Sequence, residues 1–211
     1  MNAIVTGYSS GIGKAICQVL ENEGYCIFKL KSRLENTKDL ENEVKEILKT
    51  NEIDLLVNNA GFGIFEPHEE INPNDISRLI DVNLKAPILL SNLTLRSLKK
   101  TKGNIINITS IEATKHSKFS ATYTATKAGL RDFSLSLFEE VRKSGVGVTS
   151  INPDMTDTSF FDDLKFGVSK KQRTYLLSDE IAKTVVQILK MEGVVTDITI
   201  RPQYFGIEKK A

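Results

Sequence analysis

The chain has 211 residues, of which 40% are hydrophobic and 26% charged, and its formal net charge is +1. This length and apolar content fit one globular domain, and we expect residues 1–211 to form it. The near-neutral charge excludes an electrostatic argument for nucleic acid or an anionic membrane as a partner.

The cysteines and the apolar runs give no sign of an unusual environment. Cys17 and Cys26 have no metal-ligand neighbours at useful spacing, so we expect no metal site and interpret both as reduced packing residues. No apolar run has transmembrane length, and Met1 is followed at once by the first predicted strand, which leaves no room for a signal peptide. We therefore expect a cytoplasmic protein.

Short apolar runs alternate with amphipathic segments along the chain. The apolar runs predict strands at Asn2–Thr6, Tyr25–Leu30, Asp54–Asn58, Asn104–Thr109, Val146–Asn152 and Thr196–Ile200. The amphipathic segments predict helices at Gly11–Glu23, Thr37–Lys49, Pro73–Lys99, Ala121–Lys143 and Asp179–Met191. Because apolar strands that alternate with helices form parallel sheets covered on both faces, we predict an α/β fold with a doubly wound parallel sheet of the Rossmann type.

A glycine-rich turn connects the first predicted strand to the first helix. It reads Gly7-Tyr8-Ser9-Ser10-Gly11-Ile12-Gly13. Gly7 permits a tight turn, Gly11 lets the backbone approach a pyrophosphate, and Gly13 lets helix and strand pack closely. The helix N-terminus adds amide donors and a partial positive charge. The turn therefore predicts a dinucleotide site, with an ordinary glycine-rich βα turn as the alternative for this motif alone.

Tyr123 and Lys127 are four residues apart, so on a helix they share one face. An ammonium beside a phenol favours the phenolate and is expected to lower the tyrosine pKa from about 10 toward neutral pH. Ser110 lies thirteen residues before Tyr123, and Asn83 twenty-seven before Ser110. Each residue alone is typical of a cap, a turn or a solvated face, but their joint spacing predicts an acid/base centre.

Four motifs in this order resemble the short-chain dehydrogenase/reductase family. They are Thr6-Gly7-x3-Gly11-Ile12-Gly13, Asn58-Asn59-Ala60-Gly61, Ser110 and Tyr123-x3-Lys127. The resemblance extends from Asn2 to about Arg201. It implies an NAD(P)-dependent oxidoreductase that transfers hydride between nicotinamide and a small ketone, aldehyde or hydroxy compound. The alternative is a non-catalytic NAD(P)-binding regulatory protein on the same scaffold, although such proteins usually lose the tyrosine or the lysine.

The resemblance assigns a role to each residue of the acid/base centre. Tyr123 is the general acid that protonates a carbonyl oxygen, or the base in the reverse direction. Lys127 lowers the tyrosine pKa and bonds the nicotinamide ribose. Ser110 orients the substrate oxygen, and Asn83 holds a water in a proton relay to Lys127.

The resemblance also implies which residues contact the cofactor. They are Gly7, Ser9, Ser10, Gly11, Ile12, Gly13, Lys31, Ser32, Arg33, Asn59, Ala60, Gly61, Tyr123, Lys127, Pro153 and Thr158. A carboxylate after the second strand would favour NAD, but the chain has Lys31, Ser32 and Arg33 there, so we predict NADP, with NAD possible. Solvated basic residues at the rim of the sheet are the other interpretation. Ser10 stands where NADP-preferring relatives often carry a basic residue.

Two departures from the family pattern stand out. Only six residues separate Tyr25–Leu30 from the helix at Thr37, so we expect the edge strand 3 and its preceding helix to be missing, or a very short strand at Arg33–Leu34. Asp154 replaces a glycine after Pro153, which questions the backbone geometry because non-glycine residues are uncommon at positive φ. Its carboxylate either lies near the nicotinamide or, as we prefer, points to solvent.

The remaining predictions concern the pocket and the assembly. Six phenylalanines fall in loops at the carboxyl ends of the strands and predict an apolar pocket wall: Phe62, Phe65, Phe119, Phe160, Phe161 and Phe166. The segment Phe160–Leu164 predicts a short lid over a small or open pocket, and His116 is interpreted as incidental. We expect a homodimer or homotetramer paired through Pro73–Lys99 and Ala121–Lys143; the alternative is that these helices only cover the sheet.

Overall fold

The structure, a computed structural model, describes residues 1–210. Its strands are β1 (Asn2–Val5), β2 (Cys26–Phe28), β3 (Leu55–Asn58), β4 (Asn104–Ile108), β5 (Gly147–Pro153), β6 (Thr156–Asp157), β7 (Phe166–Val168), β8 (Leu176–Leu177), β9 (Asp197–Ile200) and β10 (Ile207–Lys209). Its α-helices are α1 (Gly11–Asn22), α2 (Thr37–Thr50), α3 (Pro73–Ile80), α4 (Ala86–Thr101), α5 (Ala121–Val141) and α6 (Ser178–Leu189). Strands and helices alternate through most of the chain, as the sequence predicts.

Within residues 1–210, six strands form one parallel sheet in the order β2-β1-β3-β4-β5-β9. This arrangement confirms the predicted doubly wound α/β fold. It also agrees with the expected loss of edge strand 3, because the described residues between β2 and α2 contain no strand. The alternative of a short strand at Arg33–Leu34 is therefore wrong. As a consequence, β2 is an edge of the sheet.

The short connection from β2 to α2 is held by one carboxylate. Glu43, on α2, accepts hydrogen bonds from the backbone N–H of Lys31 at 2.7 Å and of Ser32 at 2.8 Å. Partial burial raises the pKa of Glu43, but these hydrogen bonds outweigh burial and hold the pKa below its ordinary value. A single helix residue thus satisfies two backbone N–H groups of this connection.

Two apolar layers enclose the sheet. Alternate residues of β1 point to opposite faces, as the pleat requires: Ala3 and Val5 pack with α1 and α6, whereas Ile4 packs with α2, α4 and α5. Leu56, on β3, joins Ile4 on the second face and is fully buried. Each such large side chain contributes roughly 1.5–3 kcal/mol by leaving water. The core therefore holds the carboxyl ends of the central strands in fixed positions.

The predicted helix Pro73–Lys99 is interrupted. Asp81–Lys85 form a π-helical turn between α3 and α4, and the backbone N–H of Ala86 donates to Asp81 O. Pro87 follows in the first turn of α4 and has no N–H to continue the regular hydrogen-bond ladder. This gives a physical reason for the break, and π-helical turns of this kind are frequent at functional sites.

Two small sheets lie outside the main one and were not predicted. β6 pairs with β8 in parallel, and β10 pairs with β7 in antiparallel register. Among residues 1–210, no helix has both the length and the apolar character to cross a membrane. The cytoplasmic location stays a prediction.

Candidate active site

The carboxyl ends of β1, β3, β4 and β5 open into a cavity of about 880 Å³. Most of the residues predicted from the sequence line it: Gly7, Ser9, Ser10, Gly11, Ile12, Asn59, Ala60, Gly61, Ser110, Tyr123, Lys127, Pro153 and Thr158. The lining within residues 1–210 does not include Gly13, Lys31, Ser32, Arg33 or Asn83. The glycine turn and the acid/base pair therefore face one shared space.

Close contacts and hydrogen bonds hold the glycine turn against the segment that follows β3. Gly7 has a φ of 66°, and a Cβ at this position would lie 2.6 Å from Asn59 Nδ2. Thr6 Oγ1 accepts hydrogen bonds from the backbone N–H of Asn59 at 2.9 Å and of Ala60 at 3.0 Å. Gly13 packs against the carbonyl oxygen of Gly7, which fits its predicted packing role. A side chain at Gly7 would thus collide with Asn59, and one at Gly13 would collide with the backbone of the turn.

The start of α1 fits an anionic group such as a pyrophosphate. Ser10 is the N-cap residue, but its side chain makes no capping hydrogen bond. The first amides of the helix therefore lack the usual side-chain acceptor, and helix N-termini favour negative charge. Gly11 has a φ of 50°, and a Cβ there would lie 3.1 Å from Thr158 Cγ2. A larger residue at Gly11 would narrow the space between the turn and Thr158.

Tyr123 and Lys127 lie on α5 and are nearly fully buried, with 5% and 4% of their surfaces exposed. Lys127 Nζ lies 6.0 Å from the centroid of the Tyr123 ring and donates a hydrogen bond to Ile108 O at 3.0 Å. Burial raises the pKa of Tyr123 to about 12; a hydrogen bond with Ser110 opposes this shift and the charge of Glu112 adds to it. Burial lowers the pKa of Lys127 to about 8.

The predicted fall of the Tyr123 pKa is therefore wrong for this structure. The spacing of Tyr123 and Lys127 along the chain indicates a neighbouring cation, but it does not show that the phenol is buried. Desolvation disfavours the charged form of both groups, so it raises the pKa of the phenol and lowers that of the amine. Near pH 7 the Tyr123 phenol is therefore neutral, whereas Lys127, with a pKa of about 8, is still mostly an ammonium.

Asn83 lies in the π-helical turn and is fully buried. Its Oδ1 accepts from the backbone N–H of Phe62 at 3.1 Å, and its Nδ2 donates to Phe62 O at 2.8 Å. A Cβ on Gly61 would lie 3.0 Å from Asn83 Oδ1 and 3.2 Å from Lys127 Nζ. Asn83 thus fixes the segment after β3 beside Lys127, while its proposed water relay stays a prediction.

Ser110 ends the segment after β4 and caps a 3-10 turn, where its Oγ accepts from the backbone N–H of Glu112 at 3.2 Å. Glu112, which was not predicted from the sequence, is a buried carboxylate on the cavity wall. Ser117 Oγ donates to it at 2.7 Å and Ser120 Oγ at 3.1 Å, and Lys115 Nζ lies 3.4 Å away. In the sequence, the position of Glu112 between Ser110 and Tyr123, in a segment with several serines and threonines, could have indicated its role.

Asp154 does not point to solvent, so the preferred expectation is wrong. Only 8% of its surface is exposed, and it lines the cavity. Arg201 Nε donates to Asp154 Oδ2 at 2.9 Å, and the backbone N–H of Met155 donates to Oδ1 at 2.9 Å. The described non-glycine residues with positive φ are Lys102, Phe119 and Arg173. Asp154 therefore adopts ordinary backbone geometry, and its charge is balanced by an arginine.

The basic segment after β2 lies outside the cavity lining. Backbone groups of Lys31 and Ser32 are held by Glu43, and the side chain of Arg33 is 83% exposed, with its NH1 3.8 Å from Glu35. Tyr8 Oη, in the glycine turn, donates to Leu30 O at 3.3 Å. The segment thus connects to the glycine turn through Tyr8, and the side chains of Lys31 and Arg33 are exposed.

The far wall of the cavity is aromatic. All six predicted phenylalanines line it, namely Phe62, Phe65, Phe119, Phe160, Phe161 and Phe166. Phe205, Ile207 and Lys209 also line it and were missed, because β10 reaches the site by pairing with β7. Lys210 Nζ donates to the carbonyls of Phe161 and Asp162, which ties this segment to the predicted lid. His116 is exposed and is not part of the lining, as its incidental interpretation implies.

Comparisons with known proteins agree with this geometry. The short chain dehydrogenase family model matches residues 32–167. An uncharacterized oxidoreductase of Staphylococcus saprophyticus is 32% identical over 229 residues, covering 95% of this chain and 96% of the relative. An uncharacterized oxidoreductase of Staphylococcus epidermidis is 30% identical over 223 residues with the same coverage. The chain belongs to the short-chain dehydrogenase family.

Solved structures share the fold over nearly the whole chain. An alcohol dehydrogenase from the archaeon Thermococcus sibiricus, complexed with 5-hydroxy-NADP, superposes with a TM-score of 0.87 at 25% identity, covering 97% of both chains. A metagenomic short-chain oxidoreductase in complex with NADP gives 0.81 at 27% identity, covering 97% of this chain and 98% of the other. The predictions of the family and of an oxidoreductase are confirmed.

Proposed function

We propose that residues 1–211 form one catalytic domain that reduces ketones or aldehydes with NADPH, or oxidises the corresponding alcohols with NADP. One observation carries the proposal: Tyr123 and Lys127 are buried in the wall of the same cavity that the glycine turn opens into. A phenol and an amine with shifted pKa values in a cleft are typical of a functional site.

When bound, the nicotinamide cofactor supplies or accepts the hydride. The Tyr123 hydroxyl holds the proton that a carbonyl oxygen needs as its carbon is reduced, and it stays protonated up to a pKa of about 12. Ser110, which lines the same cavity, orients the same oxygen. A positioned acid of this kind contributes about 10²–10⁴-fold to the rate, and orientation of the reactants can contribute more.

The rest of the cavity lining suits the phosphates and the nicotinamide. The free amides at the start of α1, with Ser9, Ser10 and Ile12 on the lining, would hold the pyrophosphate. Asn59, Ala60, Gly61, Pro153 and Thr158 would border the ribose and nicotinamide groups. The ion pair of Asp154 with Arg201 removes the isolated negative charge that would otherwise stand beside them.

We propose NADP as the preferred cofactor because Lys31 and Arg33 follow β2 with no acidic residue in the sequence before Glu35. The Glu43 carboxylate that reaches this segment is already engaged by the backbone N–H groups of Lys31 and Ser32. The metagenomic relative is described in complex with NADP, which supports this choice. Fluorescence titration with NADPH and NADH tests it. Equal affinities, or an unchanged ratio of affinities in the double variant Lys31→Ala with Arg33→Ala, would count against the basic residues.

We also propose a homodimer or homotetramer formed through α4 and α5. Leu89 and Leu93 on α4, and Phe133 and Phe138 on α5, are only partly buried although they pack against the core. Large apolar side chains left partly open on two neighbouring helices are typical of an interface. Light scattering tests the assembly, since a mass near 23.5 kDa would match a single chain and contradict it.

The proposed reaction is tested by mixing the purified protein with NADPH and a panel of ketones and aldehydes. Loss of the nicotinamide absorbance that depends on both protein and carbonyl compound is the expected result. Matched reactions with NADP and the corresponding alcohols test the reverse direction. Failure to turn over any member of either panel, in protein that binds NADPH, would argue against the proposed reaction and favour a binding role.

A further inference from the structure

Five aromatic rings form a closed cycle on the cavity wall. Ring centroids lie 5.2 Å apart for Phe65 and Tyr123, 6.0 Å for Tyr123 and Phe160, and 5.2 Å for Phe160 and Phe161. Phe161 and Phe166 are 5.8 Å apart, and Phe166 and Phe65 close the cycle at 5.0 Å. The interplanar angles run from 50° to 87°, so neighbouring rings meet tilted or edge to face. We call this group the ring cluster.

The ring cluster surrounds the group that is proposed to react. Tyr123 is itself a member, and Phe65 and Phe160 are its two neighbours in the cycle. Because Phe65, Phe160 and Tyr123 line the same cavity, a compound whose carbonyl oxygen reaches the Tyr123 hydroxyl can place a substituent against these rings. Such pairs of aromatic rings, at centroid distances of about 4.5–7 Å, are more favourable than contact area alone predicts.

The charges on the same cavity wall decide between the possible occupants of the ring cluster. Aromatic rings can also bind a cationic group, such as the ammonium of an amino ketone, through cation–π interactions. However, five lysines line the cavity against three carboxylates: Lys115, Lys118, Lys127, Lys165 and Lys209 against Glu112, Asp154 and Asp163. Asp154 is already paired with Arg201, and Glu112 with Lys115. The balance of charge disfavours a cationic substituent.

We infer that the substrate is an aryl ketone or aldehyde, or the matching alcohol, whose uncharged ring lies against Phe65 and Phe160 while its carbonyl oxygen meets Tyr123. This inference rests on the proposed function and narrows its substrate class. Edge-to-face contact with the ring cluster accounts for an aryl preference, and the lysines account for the exclusion of ammonium groups. An aliphatic substituent of the same size fills the space but lacks the interaction between rings.

Acetophenone and cyclohexyl methyl ketone test the inference, because they differ in the aromatic character of one six-membered ring. The value compared is the ratio of kcat/KM for the two ketones, measured with NADPH in each protein. Intrinsic reactivity cancels when this ratio is compared between variants. Phe65→Leu and Phe160→Leu keep an apolar side chain and should each reduce the ratio about two- to tenfold. Tyr204→Leu, a change at an exposed aromatic residue outside the cavity lining, is the matched control and should leave it unchanged.

The outcomes separate this inference from the proposed function. A ratio unchanged in both ring variants overturns the aryl preference while carbonyl reduction stands. The aryl preference is also overturned if wild-type protein reduces aliphatic ketones or aldehydes but no aryl ketone or aldehyde. If no carbonyl compound reacts, the proposed function itself fails. If the ring variants do not fold, we would measure the dissociation constants of both ketones with wild-type protein loaded with NADP. Acetophenone should bind about two- to tenfold more tightly than cyclohexyl methyl ketone. Equal binding overturns the inference.

Discussion

The two ends of the cavity are built in different ways. At the glycine turn, the surface is made of backbone: Gly7 and Gly11 have positive φ, and Thr6 ties the turn to the segment after β3. At the ring cluster, the surface is made of side chains from distant parts of the chain, and one of them, Phe166, lies on β7 and is held by the pairing of β7 with β10. The first end tolerates no added side chain, whereas the second is defined by which side chains are present. Substitutions should therefore damage folding and cofactor binding at one end, and turnover or specificity at the other.

Tyr123→Phe, a change at the ring-cluster end of the cavity, should produce the largest effect. It should lower turnover and leave cofactor binding unchanged. The substitution removes the transferable proton and keeps the ring that packs against Phe65. We expect kcat to fall by at least about 10²-fold, with NADPH affinity unchanged, because a positioned acid contributes that much. Reduction rates with NADPH and fluorescence titration measure the two quantities. Reductase activity within about tenfold of wild type would contradict the assignment.

Gly13→Ala should damage the backbone end through stability. An added Cβ would overlap the carbonyl oxygen of Gly7, and neither backbone can move without separating α1 from β1. We expect the free energy of unfolding to fall by about 1–3 kcal/mol, the usual cost of overpacking. Urea unfolding measures it, with Gly193→Ala as the control, because a Cβ there meets no atom within 4 Å. Equal urea midpoints for Gly13→Ala and wild type would show that this end is less rigid than described.

The buried amine of Lys127 should give the side-chain end a distinct pH dependence. Its pKa is about 8, while Tyr123 stays protonated up to a pKa of about 12. If the ammonium is the active form, kcat/KM for reduction should fall up to about tenfold per pH unit above pH 8, since this parameter reports groups of the free enzyme. Lys127→Arg, whose guanidinium stays charged, should lower activity but remove this break between pH 8 and 10. A flat wild-type profile over that range is the contrary result.

The same group predicts a matching change in stability. Between the pKa of about 8 in the folded protein and the ordinary value of 10.5, the unfolded chain binds more protons at this lysine than the folded chain does. The contribution of Lys127 to the free energy of unfolding should therefore increase with pH in this window. Urea unfolding of wild type and of Lys127→Met across the window isolates it. As pH rises through this window, the free energy of unfolding of wild type should increase relative to that of Lys127→Met. A constant difference between the two free energies would argue against the low pKa of Lys127.

Glu112→Gln should have the smallest effect. Its charge adds to the high pKa of Tyr123, but less than burial does. Removing the charge and keeping an acceptor for Ser117 should move the pH profile of alcohol oxidation to lower pH by less than about one unit. Asp157→Asn, which changes an exposed carboxylate on β6, is the control. A shift to higher pH, or the same shift in both variants, would contradict a direct effect of Glu112 on Tyr123.

The distance along the chain between interacting residues explains what could be predicted. The glycine turn and the pair formed by Tyr123 and Lys127 are local patterns, because spacing along one turn or one helix determines their geometry. The ion pair of Asp154 and Arg201 joins residues 47 positions apart, and β10 reaches the cavity by pairing with β7. Nothing near Asp154 in the sequence indicates its partner. The burial that raises the pKa of Tyr123 likewise depends on the whole fold.

The edge position of β2 has a consequence for the protein at high concentration. An edge strand presents unpaired N–H and C=O groups that can recruit a strand from another molecule and begin aggregation. Here the exposed strand is only three residues long, from Cys26 to Phe28, and Lys29 and Lys31 follow it. Short edge strands and lysines are two of the means by which natural sheets avoid such pairing. The short edge strand that precedes the connection held by Glu43 therefore offers few unpaired backbone groups to a neighbouring chain.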